Sequence, residues 1–365
     1  VISVVNQLAV VGGGVIGLSV AWRAAAAGHR VTVLDPSPGR GASWVAGGML
    51  APITEAWPGE EAALSLGEES LRRWPEFAAA LSADGGDPGL STAGTVVVAL
   101  DRGDADQLGV LAEYLRSVGR EVESVAGRRL RSLEPGVNGV RALLVPGDLA
   151  VDNRRLLRSL HAAAIRHGVK FVDDDAIDVG PGRVRTVSGE LNCDAVVIAA
   201  GARSGRLHQA LAVRPLKGEI LRLRARRTSL PPPSRTVRAV VEGRPVYLVP
   251  RAGGELVLGA TQYEAGFDET VGARGVRELL EGAARLFPSI DEYELVETAA
   301  GFRAASVDAL PFIGELDEGV YAATGHHRNG LLMAPVTADA IVAWLDGEAP
   351  PEQVVAADPH RLGGK

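Results

Sequence analysis

Cysteine is nearly missing from this chain: Cys193 is the only one. No disulfide can form within the chain and a cysteine-built metal site has too few ligands, which fits a reducing compartment. Cys193 precedes an apolar run, the position of a packing residue. A basic excess is also missing. The net charge of -7 argues against nucleic acid as a partner. The locally basic run Arg222-Leu223-Arg224-Ala225-Arg226-Arg227 reads as a solvated strand face entering a loop. No apolar run approaches the roughly 20 residues that span a membrane. The apolar start, Val1 to Val11, lacks the basic flank of a signal peptide and reads as the first sheet strand. There is no internal repeat and no low-complexity block. The adjacent His326 and His327 lack metal-ligand spacing and have no acid placed with them, so no metal is expected. A cytoplasmic protein with neither nucleic-acid nor membrane partner is the expectation.

What is present begins with glycine. At 365 residues, 46% hydrophobic and 23% charged, the chain can build one large or two ordinary domains. Leu8-Ala9-Val10-Val11 runs into Gly12-Gly13-Gly14-Val15-Ile16-Gly17, and a helix-like stretch continues to Ala27. Gly28 can end that helix, and Arg30-Val31-Thr32-Val33-Leu34 then leads to Asp35. In such a βαβ unit Gly12 allows the tight turn, Gly14 lets backbone approach a pyrophosphate, and Gly17 lets the helix pack closely on the sheet. The helix N-terminus faces the phosphates, and Asp35 can accept hydrogen bonds from a ribose while repelling a 2′-phosphate.

Further along, 60–82 reads as a helix, 94–100 as a strand, and Asp104 to Val118 as a helix capped by Asp104. Val151-Asp152-Asn153 caps another helix, Arg154 to His167, and Asp194 to Ala202 reads as the middle strand of a parallel sheet. Residues 217–264 alternate as antiparallel strands with turns at Glu242-Gly243 and Gly253-Gly254. A strand over 319–325 and a helix over 335–345 return to the first domain, and 351–365 reads as a frayed polar tail. These signals divide the chain into a discontinuous nucleotide domain (1–80, 148–215 and 306–350) and an inserted domain (81–147 and 216–305). Ligands bind beyond the carboxyl ends of such strands, at Gly12–Gly17, Gly201–Ser204 and Gly325–Leu332.

Four motifs carry a resemblance. Arg40 to Pro52 contains Ala46-Gly47-Gly48-Met49-Leu50-Ala51-Pro52; Tyr247-Leu248-Val249-Pro250-Arg251 and Gly301-Phe302-Arg303 follow; and Thr324 to Pro335 closes the set. Together, from Leu8 to Leu345, the chain resembles the flavoprotein amine oxidases of the D-amino-acid oxidase family, and among them the branch that oxidises glycine for thiamine biosynthesis.

That resemblance implies an α/β fold: a Rossmann-like FAD-binding domain of the glutathione-reductase type, with an inserted α+β substrate domain built on an antiparallel sheet. It implies non-covalent FAD, held by Gly12, Gly14, Val15, Ile16, Gly17, Asp35, Pro36, Ala42 and Ser43, with Val172 at the adenine and Gly201 on a neighbouring loop. Gly47, Gly48 and Met49 would line the isoalloxazine, the loop Arg328, Asn329, Gly330, Leu331 and Leu332 would aim backbone N–H groups at its pyrimidine end, and His327 would also contact the cofactor. Substrate positioning falls to Arg303 for the carboxylate, with Tyr247 and Arg328 beside it. The implied reaction passes a hydride from the Cα of a small amino acid to FAD, then electrons to dioxygen, giving an imine or 2-oxo acid, ammonia and hydrogen peroxide. Glycine leads as substrate. Sarcosine or D-amino-acid oxidation and a quinone-linked D-amino-acid dehydrogenase are the alternatives, and a homo-oligomer is expected. Gln262 departs from the apolar residue common in relatives and leaves the pocket's polarity open.

Overall fold

The structure, a computed structural model, describes residues 7–55 and 59–362. The predicted first strand starts at Gln7 in it; Val1 to Asn6 lie outside the described residues. Strand β1 (Gln7–Val11), helix α1 (Val15–Ala26) and strand β2 (Arg30–Leu34) form the expected βαβ start. The amide of Gly28, at φ +102°, bonds the Ala25 carbonyl where α1 ends. A short helix α2 (Ala42–Val45) and strand β3 (Met49–Leu50) lead to α3 (Glu61–Gly85).

The next segment carries β4 (Leu90–Ser91), β5 (Thr95–Ala99), α4 (Arg102–Ser117), β6 (Glu123–Ala126), α5 (Gly127–Leu133), β7 (Arg141–Val145) and β8 (Leu149–Val151). Then come α6 (Asn153–Arg166), β9 (Lys170–Val172), the meander β10 (Ala176–Gly180), β11 (Arg183–Thr186) and β12 (Glu190–Asn192), and β13 (Ala195–Ile198). The last third holds β14 (Arg214–Arg224), β15 (Thr236–Val241), β16 (Arg244–Pro250), β17 (Glu255–Gly259), α7 (Ala273–Leu286), β18 (Glu294–Ala305), β19 (Phe312–Asp317), β20 (Val320–Thr324) and α8 (Ala334–Leu345).

Two sheets dominate. The six-stranded sheet runs β19-β20-β13-β1-β2-β9, parallel except where β19 turns back on β20. The wholly apolar β13 sits in its middle, where both faces are covered. Helices α1, α3, α6 and α8 cover one face through a core containing Leu18, Trp22, Trp74, Phe77 and Leu332, in which the Phe77 ring meets Trp22 and Trp74 edge-on at 5.1 and 5.3 Å. The β10–β12 meander covers the other face, packing Val184 near Val11, Val196 and Ile198. Cys193 is buried in this second core, where burial pushes its thiol up to about 11.

The eight-stranded sheet runs β18-β14-β17-β16-β15-β5-β7-β6. It is not antiparallel throughout: β15 runs parallel to β5, because here two separate chain segments meet edge to edge. One face of the sheet is packed by α7 through Leu221, Leu248, Leu256, Leu258, Leu279 and Leu286. The opposite face looks toward residues 42–49, with Val45 and Met49 against Tyr247, Val249, Val257 and Ala299.

Three expectations change. The cap of α4 is Asp101, whose Oδ1 accepts the Asp104 amide at 2.9 Å; Asp104 lies inside the first turn and its carboxylate reaches back to the Leu100 amide at 3.2 Å, a reciprocal pattern. Arg222 is buried and donates to Asn153 Oδ1 at 3.0 Å, so only Arg224, Arg226 and Arg227 of that run are solvated. The C-terminal stretch is docked as far as Leu362. Val354 and Ala357 are buried, and the Arg361 guanidinium donates to both oxygens of Asp308 at 2.7 and 2.9 Å. The predicted tail's last residues, 363–365, lie outside the described residues.

Candidate active site

The glycine turn after β1 is packed to its limit. A Cβ on Gly12, which holds φ +106°, would lie 2.4 Å from the Ala199 carbonyl oxygen, and one on Gly17 would lie 1.8 Å from the Gly12 carbonyl oxygen. Helix α1 has no side-chain cap of its own. The Val15 amide instead donates to Ser43 Oγ at 3.0 Å, so Ser43 is fixed at the electropositive end of α1 beside Ile16 and Gly14. At the end of β2 the Asp35 carboxylate accepts the Gly13 amide at 2.6 Å and the Ser37 amide at 2.7 Å. A carboxylate has about four lone-pair sites, so acceptor capacity remains. The Asp35 amide donates to the Val172 carbonyl at 3.1 Å, which brings β9 to the same edge, and Pro36 follows exposed.

A third strand end closes the same region. After β20, His326 is buried and its Nε2 pairs with Thr337 Oγ1 at 3.0 Å. Burial pushes its imidazole down to about 3, so the ring is neutral. His327, at φ +49°, is pushed down to about 4 by burial and by the nearby Arg328 and Arg303. The turn His327–Asn329 leads through Gly330 to Leu331 and Leu332, both buried. The Leu332 carbonyl accepts from Ser70 Oγ at 2.7 Å and Trp74 Nε1 at 2.9 Å, so α3 clamps this loop. Gly201 opens the loop after β13, and its carbonyl accepts from Thr324 Oγ1 at 3.1 Å.

The eight-stranded sheet faces this region with a row of small residues. Tyr247, Gly259, Ile220 and Ala299 lie side by side in register; Gly218 pairs with Gly301, and Leu216 with Arg303. A Cβ on Gly47 or on Gly259 would run into the Tyr247 ring, at 2.7 and 2.3 Å. A Cβ on Gly301 would lie 3.1 Å from Val45. The residue 42–49 segment is therefore pressed onto this face. Arg303, half-buried, folds over Gly218 and donates to the carbonyls of Thr261 at 3.3 Å and Lys217 at 3.5 Å. Among the described residues no carboxylate lies within 4 Å of its guanidinium. Tyr247 is close enough that the Arg303 charge opposes the upward push burial gives its phenol.

Comparison with known proteins fits these three strand ends. The family model described as FAD dependent oxidoreductase (DAO) matches residues 7–344. The chain belongs to this family. Among its relatives, the glycine oxidase of Geobacillus kaustophilus is 33% identical over 347 residues, 91% of this chain and 90% of that one. A protein of Rhizobium etli with the provisional name thiamine biosynthesis oxidoreductase ThiO is 33% identical, covering 93% of this chain and 96% of its own. The crystal structure of the Geobacillus kaustophilus glycine oxidase superposes with a TM-score of 0.91 at 31% identity, covering 98% of each chain.

The residues present fit the FAD of this family. The side-chain-free turn at Gly12, the start of α1 with Gly17 in its first turn and the Asp35 carboxylate meet at the carboxyl ends of β1 and β2 in the six-stranded sheet. Of the residues expected to handle substrate in a DAO-family enzyme, Tyr247 and Arg303 share one face. The Arg328 side chain lies on the neighbouring 327–332 loop, where its Nε pairs with Glu55 at 2.8 Å and its Nη2 approaches Glu60 at 3.4 Å. Gln262 is exposed, next to the Thr261 carbonyl that holds Arg303.

Sequence reasoning passed over several groups. Arg251 is almost fully buried, donates to the Gly47 carbonyl at 2.5 Å, and is pushed down to about 10 by burial. Its signal was the alternation Tyr247, Val249, Arg251, which places all three on one strand face. Arg238, opposite Tyr247 in register, pairs with Glu55 at 3.2 Å and donates to Thr54 Oγ1 at 2.8 Å. Thr54 in turn donates to the buried Asp148 at 2.9 Å. No local pattern marks that chain, because its members come from distant segments.

Proposed function

We propose that this protein is a glycine oxidase: it binds FAD non-covalently and removes two electrons from glycine, supplying the imine for the thiazole ring of thiamine. The identities to the two relatives above support the reaction and its setting. The single observation that carries the substrate class is Arg303, a half-buried guanidinium held by two carbonyls and facing Tyr247 with no carboxylate partner among the described residues. Such a cation is suited to a bidentate carboxylate. The Tyr247 hydroxyl would donate a further hydrogen bond to it, and the row of glycines beside them leaves room for a small Cα.

In this reading the six-stranded sheet holds FAD along Gly12–Gly17, Asp35, Ser43 and the 327–332 loop, and the eight-stranded sheet presents the substrate. Bound FAD supplies the two-electron acceptor and passes electrons to dioxygen. This chain's residues anchor the carboxylate and fix Cα against the 47–49 segment, a gain from orientation. No helix among the described residues is long and apolar enough to cross a membrane. The single buried cysteine suits a cytoplasmic setting.

Anaerobic reduction of the bound flavin by glycine, sarcosine and D-alanine in parallel tests the proposal. Glycine should bleach the flavin with the largest ratio of reduction rate to dissociation constant. Failure of all three to bleach it would remove the oxidase reading, and a larger ratio for D-alanine or sarcosine would remove glycine as the substrate.

A further inference from the structure

We propose that Lys217 is a positioning residue for the anion site, holding Arg303 in place from the opposite side of the sheet. The inference rests on the reading of Arg303 as the carboxylate anchor. Among the described residues the orienting hydrogen bonds of Arg303 go to two carbonyls, those of Lys217 and Thr261. One belongs to β14, and the other opens the 261–272 loop between β17 and α7. Whatever fixes that loop therefore fixes the direction of the guanidinium.

The loop is tied down by charge. Lys217 is buried on the α7 side, and its Nζ donates to Asp268 Oδ2 at 2.8 Å and to the Thr270 carbonyl at 2.5 Å, with Glu219 at 3.9 Å. The hydrogen bond from Lys217, with those from Thr270, holds the Asp268 carboxyl down at about 2. Glu219, also buried, accepts the Gly272 amide at 2.8 Å and Thr261 Oγ1 at 3.1 Å. The backbones of Lys217 and Tyr263 exchange two hydrogen bonds, at 2.9 and 3.0 Å. Phe302, directly opposite Lys217 in register, meets the loop's Phe267 edge-on at 5.3 Å.

Burying an ammonium and a carboxylate is costly, and an apolar replacement of such a pair is often no less stable. The rest of this face is hydrocarbon against α7. What the ions add over hydrocarbon is a fixed geometry for loop residues 261, 268, 270 and 272, and hence for the Thr261 carbonyl on which Arg303 leans.

The holoenzyme variants Lys217→Met, Lys217→Arg, Asp268→Asn and Arg303→Met test this, with acetate as a carboxylate probe titrated against the visible flavin spectrum. In Lys217→Met the acetate Kd and the amino-acid KM should each rise about tenfold, as for one weakened hydrogen bond to a charged group, while kcat at saturation changes far less. Lys217→Arg should recover part of the loss. Asp268→Asn should move both constants the same way by a smaller factor, and it decides the matter if Lys217→Met does not fold. A lower melting temperature with unchanged acetate Kd and KM would reduce Lys217 to a merely structural role and overturn the proposal. Arg303→Met separates the two readings. Unchanged acetate binding there removes the anchor itself, whereas weakened binding there with normal binding in Lys217→Met and Asp268→Asn removes only the positioning role.

Discussion

Along β14, neighbouring residues lead opposite lives. Lys217, Glu219 and Leu221 point toward α7, where the two ions are fully partnered and the rest is hydrocarbon. Gly218, Ile220 and Arg222 point toward residues 42–49 and α6, onto a face made of Gly218, Gly259 and Gly301 with Tyr247, Arg251 and Arg303 among them. The α7 face satisfies its charges internally. The other face leaves them incomplete: among the described residues Arg303 donates only to carbonyls, and the Nε atoms of Arg222 and Arg251 are buried without a hydrogen-bond partner. Buried polar groups are normally satisfied, so a concentration of unmet donors on one side of a sheet marks the side built for something else to complete.

The largest effect that tests this contrast is the loss of Arg303. A fully desolvated ion pair broken on one side costs roughly 3–5 kcal/mol and the half-open site less, so Arg303→Met should raise the glycine KM by about a hundredfold. Tyr247→Phe removes one hydrogen bond to a charged group, about 1.5–3 kcal/mol at most, and should raise KM less, with flavin retained in both. Steady-state kinetics check the order; equal KM values for Arg303→Met and the parent protein would erase the functional half of the comparison.

A pair of glycines sharpens it. A Cβ on Gly218 would lie 2.4 Å from Arg303 Nη1, and one on Gly275 would lie 1.8 Å from Glu219 Oε2. Gly218→Ala should therefore shift KM by several-fold with little change in melting temperature, because the displaced group is the end of a long side chain. Gly275→Ala should lower the melting temperature by several degrees, roughly 2–4 °C per kcal/mol of strain, and raise KM as well, because Glu219 ties the loop that carries the Thr261 carbonyl. Thermal melts and kinetics on both variants would show whether the two faces divide in this way.

A test that reads stability alone is at Asp148. Burial pushes its carboxyl up to about 7, against the opposing pull of the hydrogen bond it accepts from Thr54 at 2.9 Å. A folded value above the unfolded one means the folded state holds the proton more tightly, so this group's contribution to stability falls as pH rises from about 4 to about 7. Asp148→Asn should then melt higher than the parent at pH 8, with the advantage shrinking toward pH 4. A constant difference across that range would show that Asp148 titrates like an exposed acid.

Much of this was legible in local pattern. Leu8 to Asp35 announces the βαβ unit because its signals are contiguous: apolar strand, glycines, helix, β-branched strand, acid. The apolar Ala195–Ile198 strand declares its central position for the same reason. What stayed hidden depends on partners far along the chain. No local signal announces that Glu55, 273 residues away, pairs with the Arg328 guanidinium. Arg222 reads as a solvated member of a basic run until Asn153 buries it. The docked tail hid because only the placement of Val354 and Ala357, buried while the neighbouring Val355 stays exposed, decides its fate. Lys217 carries no motif, since its role is defined by a loop that closes 51 residues later at Asp268.

The parallel joint between β15 and β5 sets an order of assembly during synthesis. A ribosome releases β5, β6 and β7 as a three-stranded fragment with β5 as an unpaired border, then makes β13 and β14 before β15 arrives to cover it. At roughly 5–20 residues per second this border stays open for several seconds. Val96, Val98 and Leu144 lack the Val237, Ala239 and Leu248 part of their core until then. Yield in a fast-translating host should thus respond to chaperone supply more than to any substitution in the glycine turn's sheet, whose β1–β2 pair closes as soon as it is made.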